Sequence, residues 1–224
     1  VQFRGGPMDS PLLGPFLDAV RQRGILSEVQ VTETCPRATL QPTWDEYLAG
    51  LSKKDRHELR RKIRRAHSAG EQEILFLRDP REVEDHLDSF FRLHRASAPE
   101  KADFLDDGML AFFRDLFLAF AEDGWLQLNL MRIDGRDVAA SVSFSRDDRV
   151  LLYNSGLDPD YRSHSVGIAL HAAEMERAIE ERKSVYDFLR GNESYKYGLG
   201  ALDSPIYTIT LLPPGGSAAD GKGR

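Results

Sequence analysis

Arg162, Ser165 and Gly167 stand at the start of a helical pattern, in the run Arg162-Ser163-His164-Ser165-Val166-Gly167. The first four N–H groups of a helix lack intrahelical partners, and the helix dipole concentrates partial positive charge there. Ser165 is placed to act as the N-cap, Gly167 lets a ligand approach the backbone, and Arg162 adds a full charge one turn earlier. That set suits a pyrophosphate. The plain alternative is an ordinary strand-to-helix turn that binds nothing, because a glycine-containing helix start is weak evidence by itself. Downstream, Asp187, Arg190, Glu193 and Lys196 put two charges of each sign into ten residues around Tyr195. They read either as part of a reaction centre or as a salt-bridge network that shapes a loop. Asp187, between Tyr186 and Phe188 in a strand, reads as structural.

The elements that must position these residues are legible around them. Arg149 to Leu157 reads as a strand, with Val150, Leu151, Leu152 and Tyr153 before Gly156 and Asp158-Pro159. Val166 to Lys183 reads as a helix, with Ile168, Ala169, Ala172, Met175 and Ile179 near the 3.6 period. Val185 to Leu189 reads as a short strand. Before this unit, Trp125 to Ile133 and Val138 to Ser145 alternate around Asp134-Gly135, a strong hairpin signal. Three antiparallel strands therefore lead into the anion turn. A parallel strand, a short helix and a last strand, Pro205 to Leu212, follow it. This is a mixed-sheet layout of the α/β (α+β) kind.

The motifs also carry a resemblance. Arg162 to Gly167 resembles the R/Q-x-x-G-x-G/A pyrophosphate turn of GNAT-type N-acyltransferases. Asp187 to Lys196 (DFLRGNESYK) resembles the DF-x-RG-x-E-x-YK ending of the GNAT branch associated with cellulose and exopolysaccharide synthesis, itself close to the Fem-type aminoacyl transferases. The likeness runs from about Arg56 to Ala201. Ser165 stands where the general pattern has its first glycine, a position that this branch tends to fill with serine. The resemblance implies a GNAT-like acyltransferase fold and acetyl-CoA, or another acyl-CoA, as co-substrate, with no metal. It implies that the pyrophosphate lies on Arg162, Ser163, His164, Ser165, Val166, Gly167 and Ile168. The pantetheine arm would run along a strand edge at Asn154, Ser155, Gly156 and Leu157, where that strand splays from Val185 to Leu189. Acyl transfer to an amine needs a proton acceptor, charge stabilisation and a proton for the leaving thiolate. Tyr195, within the matched motif, is the expected proton donor, with Tyr197 beside it. Glu193 is the expected general base, and Arg190 or Lys196 the holder of an anionic substrate group. The acceptor expected is an amine of a small molecule or amino sugar, in cell-envelope or exopolysaccharide metabolism.

Two other readings stay open. One is a Fem-type transferase that uses charged tRNA. The other is a GNAT-like module kept for binding, whose turn has lost the cofactor. The first would draw on Lys53 to Arg65, where eight Lys and Arg residues stand against Asp55 and Glu58. That stretch is either a solvated helix with i,i+4 pairing or a surface for an anionic partner, such as a tRNA, a lipid-linked glycan or a membrane face. The whole chain of 224 residues has a net charge of −6, which offers no global sign of nucleic-acid binding. At 41% hydrophobic residues it can build a sizeable core. No apolar run is long enough for a transmembrane helix. Cys35 is the single cysteine, which excludes intrachain disulfides and fits a reducing, cytoplasmic setting. Residues 1–52 read as a lead-in to a 53–212 acyltransferase domain, with a disordered tail over 213–224. Position 1 is valine and the first methionine is Met8, so the chain reads as part of a longer or a processed protein, and the resemblance to Fem-like proteins, which often carry two GNAT-like halves, implies a preceding half that is missing from it. His94, near a helix end, reads as packing or dipole compensation.

Overall fold

The computed structural model describes residues 1–7 and 9–212; the tail of the sequence reading lies outside the described residues. The described chain divides into two units, one of residues 37–189 and 193–201, the other drawn from residues 1–36, 190–192 and 202–212.

In the larger unit, short polar side chains set the helix starts. Thr43 Oγ1 accepts from the Glu46 amide at 3.2 Å and opens α2 (Trp44–Gly50). Ser52 Oγ accepts from the Asp55 amide at 3.1 Å and opens α3 (Lys53–His67). Strand β3 (Arg37–Thr39) precedes both, and β4 (Gln72–Leu77) follows. Asp79 caps α4 (Pro80–Ser97), which has proline in its first turn. Asp106 caps α6 (Asp107–Glu122) through the Met109 amide at 2.8 Å. Each such cap is worth about 1 kcal/mol. Between α4 and α6 the sequence suggests only a loop, but Pro99 in the first turn starts a short helix, α5 (Pro99–Phe104).

The meander β5 (Leu126–Ile133), β6 (Arg136–Arg146) and β7 (Arg149–Leu157) follows as expected, and Asp134 and Gly135 both take positive φ in the hairpin turn. A 3-10 turn (Pro159–His164), α7 (Val166–Glu180), β8 (Val185–Asp187) and α8 (Ser194–Gly198) complete the unit. The sheet order is β3-β8-β7-β6-β5-β4, with β7 and β8 parallel and the other pairs antiparallel. This is the expected mixed α/β architecture. Both α7 and β8 end earlier than their sequence patterns suggest. Arg182 and Leu189 turn the chain away with φ of 60° and 53°.

Helices cover both faces of this sheet. Phe90, Phe91, Phe113 and Phe117 of α4 and α6 pack on Leu126, Leu128 and Leu130. Ala66 of α3 and Val166 and Leu170 of α7 pack on Met131, Ile133 and Val138. The Gln127 and Asn129 face of β5 is therefore buried too, and its polar side chains must find partners inside.

The smaller unit is a three-stranded antiparallel sheet in the order β1 (Gln2–Pro7), β9 (Pro205–Leu212), β2 (Leu26–Thr34). Helix α1 (Leu13–Gln22) adds Phe16, whose ring meets Phe3 edge-on at 5.3 Å. Strand β1 has no clear sequence signal, because its glycines mask it. Gly5, at φ +85°, marks the register shift between Arg4 and Gly6, as glycine does in an edge strand.

The contact of α4 with β7 matters for the site. A Cβ on Gly156 would lie 2.3 Å from the His94 amide nitrogen and 2.4 Å from the Leu93 carbonyl carbon, both backbone atoms. On Gly167 it would meet only Leu157 Cδ2, at 3.3 Å. Gly156→Ala is expected to destabilise the protein by about 1–3 kcal/mol or more. Gly167→Ala is expected to change stability by no more than about 1 kcal/mol. Urea unfolding midpoints check this, and equal effects would contradict so close an approach. His94 itself is 3% exposed, beside Phe90 at 5.6 Å. Burial, with the Lys101 charge reinforcing it, pushes its imidazole from 6.5 down to about 4, so it is neutral packing rather than a dipole partner. Between pH 6.5 and about 4 the unfolded chain takes up a proton that the folded chain refuses. Stability should therefore fall as pH drops through that window, by up to about 3 kcal/mol. His94→Leu should flatten that part of the slope; parallel slopes for the two proteins would contradict it.

Candidate active site

Strand β7 outruns its parallel neighbour. It pairs with β8 only from Arg149 to Leu151, while its pairing with β6 continues to Leu157. From Leu152 onward its β8-side edge has no strand partner. The register with β6 also shifts between Val142 and Ser143, so Tyr153 is an extra residue that bends the strand there. This is the splay expected from the sequence. Lys101 Nζ donates to the Ser155 carbonyl of β7 at 2.7 Å. Burial lowers the Lys101 ammonium from its ordinary value, opposed by Glu100 and Glu193.

The turn after β7 is pinned by Asp158, which is buried. Its carboxylate accepts from the Asp160 amide at 3.1 Å and pairs with Arg136 at 2.5 Å. Arg162 Nη2 donates to the Ser97 carbonyl at 2.9 Å. Ser165 takes the N-cap position of α7, but its hydroxyl caps nothing. A capping side chain needs extended backbone, whereas Ser165 is left-handed at φ 61°, ψ 29°, at a cost of roughly 1–2 kcal/mol. The amides of Val166, Gly167 and Ile168 are thus left without an acceptor inside the helix.

These features share one cleft of about 610 Å³. Of the expected coenzyme residues, Ser155, Gly156, Leu157, Arg162, Ser165, Gly167 and Ile168 line it. Val166 is in the core, the Ser163 carbonyl accepts from Arg65 at 3.3 Å, His164 packs on Tyr161, and Asn154 faces a separate aromatic crevice beside His94. The lining carries Lys62, Lys101 and Arg162 against one carboxylate, Glu193, which makes it electropositive in an acidic protein.

Tyr195 and Glu193 line the same cleft. Burial, with Glu193 and Glu174 nearby, pushes the Tyr195 phenol up, so it holds its proton at neutral pH. Burial raises the Glu193 carboxyl, but Lys196 at 2.9 Å and the Lys101 charge more than offset this, and it sits below its ordinary value. Lys196 is buried beneath it. Arg190 lies in the smaller unit, paired with Glu33 at 2.9 Å. Asp187 pairs with Arg37 at 2.7 Å and accepts from the Leu189 amide at 2.8 Å, so it serves the fold.

His171 and Glu174 drew no notice in the sequence. His171 lines the cleft with its ring stacked on Tyr195 at 5.7 Å. Both lie on α7 at i+4 and i+7 from Gly167, and that spacing was the signal available.

Solved structures share this fold. FemX matches at a TM-score of 0.70 and 12% identity, over 95% of this chain and 72% of that one. A conserved protein of unknown function from Bacteroides thetaiotaomicron matches at 0.68 and 14%, over 95% and 69%. L-PGS from Bacillus licheniformis matches at 0.63 and 11%, over 93% and 67%. At these identities the likeness is one of fold. No curated protein matches in sequence. The profile of the family described as Acetyltransferase (GNAT) domain matches residues 53–197, which takes in the splayed strand, the turn and Tyr195, and the chain belongs to that family.

Proposed function

We propose that the cleft binds an acyl-CoA and transfers its acyl group to an amine of a small molecule or amino sugar. The observation that carries this is the run of open backbone. The β7 edge, without a strand partner from Leu152 onward, leads past the pinned turn to the start of α7, whose first amides have no intrahelical acceptor, and both lie in one electropositive cleft. An extended chain of amides ending in a pyrophosphate matches that run. Its carbonyls and N–H groups pair with the β7 edge, and its phosphates meet the Val166, Gly167 and Ile168 amides beside Arg162. At Ser155 the edge is already engaged, its carbonyl by Lys101 and its N–H by Asn154 Oδ1, so the arm must compete with those bonds there.

Tyr195, protonated and at the cleft wall, supplies the proton for the departing thiolate. Glu193, held ionised by Lys196, is a weak proton acceptor and is better suited to holding a cationic part of the acceptor.

A Fem-type reading has one feature in its favour besides the fold. Lys53, Lys54, Arg60 and Arg64 of α3 are exposed, whereas Arg61 is tied to Glu58 at 2.6 Å. A polyanion such as a charged tRNA would bind there with steep salt dependence.

The readings separate in a thermal-shift titration with acetyl-CoA, dephospho-CoA and charged tRNA. Acetyl-CoA at about 100 times its dissociation constant is expected to add about 2.7 kcal/mol of stability. Dephospho-CoA, which keeps the pyrophosphate, should do nearly the same, and Arg162→Ala or Gly167→Trp should remove most of the effect. A shift with charged tRNA alone would overturn the acyl-CoA reading for the Fem-type one. No shift with any of them would leave a module without a donor site.

A further inference from the structure

A chain of hydrogen bonds runs through the interior with one polarity. Arg78, which can only donate, gives two bonds to Gln127 Oε1, at 3.1 and 2.5 Å. That fixes the Gln127 amide, whose Nε2 donates to Asn129 Oδ1 at 2.7 Å. Asn129 Nδ2 then donates to Ser141 Oγ at 3.0 Å. Ser141 has only its own proton left to give, and it gives it to Glu174 Oε1. Tyr186 donates to Glu174 Oε2. Glu174, 3% exposed, therefore receives two donors and serves as an acceptor-only carboxylate. The third group it faces is His171, whose Nδ1 lies 3.5 Å from Oε1. That Nδ1 is buried without a hydrogen bond, and His171 lines the cleft beside Tyr195.

We infer that His171 is the proton acceptor of the transfer, with Nδ1–H turned to Glu174 and Nε2 open to the acceptor amine. Glu174 acts through it as a positioning residue. This rests on the acyl-transfer reading of the same cleft. In the step, the nitrogen of a neutral amine bonds to the acyl carbon and the carbon–sulfur bond breaks. The amine proton goes to His171 Nε2 and the Tyr195 proton goes to sulfur. The imidazolium then loses its proton to solvent in the cleft and the phenolate takes one up, which restores both groups. Glu174 stabilises the imidazolium while it exists. The other titratable groups nearby are Tyr186, bonded to the second oxygen of Glu174, and Glu193, Lys62, Lys101 and Arg162 in the cleft lining. Of these, Glu193 is engaged by Lys196.

The test begins with the ring itself. Two-bond 1H–15N correlation spectra of labelled protein assign the His171 tautomer. The signals are identified by their loss in His171→Gln, or by elimination over the other five of the six histidines. The expected result is a neutral ring protonated at Nδ1, and Glu174→Gln should move that proton to Nε2. A wild-type ring protonated at Nε2 would overturn the proposal without any need for turnover. With acetyl-CoA and glucosamine as the amine probe, His171→Gln is expected to lower kcat by about 10²–10⁴-fold and to abolish the acidic limb of the pH profile. The KM for acetyl-CoA should stay within about twofold. A variant that keeps the limb would also overturn it. Loss of acetyl-CoA binding to the wild-type protein, with the tautomer as expected, would strike the acyl-transfer reading instead.

Discussion

The structure turns on where one short strand stops. Asp187 ends β8: its carboxylate is held by Arg37 on one side and takes the Leu189 amide on the other, and Leu189 then leaves the sheet in a left-handed conformation. The pair is buried enough that removing either partner would strand a charge, a loss of several kcal/mol in comparable settings. Because β8 ends there, β7 keeps an open edge from Leu152 onward. The open edge lies in the cleft that Tyr195 also lines, and Lys101 reaches it at the Ser155 carbonyl. A residue inside the most chemistry-like stretch of the sequence thus makes the site by shaping the sheet.

A second constraint runs beneath. Covering both faces of β5 with helices buries Gln127 and Asn129, and buried amides must be satisfied. They are satisfied in series, and the donor-only Arg78 gives the series a direction. The consequence is a carboxylate held ready under the one imidazole in the cleft wall. Fold stability and local proton chemistry are here the same set of hydrogen bonds, which makes the network costly to break and specific in what it presents.

Much of this was legible in the sequence. The Asp134-Gly135 hairpin was marked by its turn chemistry, and β7 and α7 by their apolar patterns. The turn proposed to hold the pyrophosphate stood out because Arg162 and Gly167 flank a helix start after a strand. What escaped has physical reasons. Strand β1 hides behind glycines that suit a bulged edge. The left-handed Ser165 cannot cap, because a capping side chain needs extended backbone. The roles of His171 and Glu174 depend on Ser141 and Tyr186, which lie 33 and 12 residues from Glu174 and meet it only when the sheet is assembled. Glu193 and Lys196, open in the sequence to a catalytic or a salt-bridge reading, pair with each other at 2.9 Å.

The most direct measurement is a crystal structure of the protein with acetyl-CoA. The account predicts an extended pantetheine arm bonded to backbone groups of β7 between Leu152 and Leu157, the pyrophosphate on the amides of Val166, Gly167 and Ile168, and the sulfur within reach of the Tyr195 hydroxyl. A coenzyme bound elsewhere, or one whose thioester end points away from Tyr195 and His171, would contradict it.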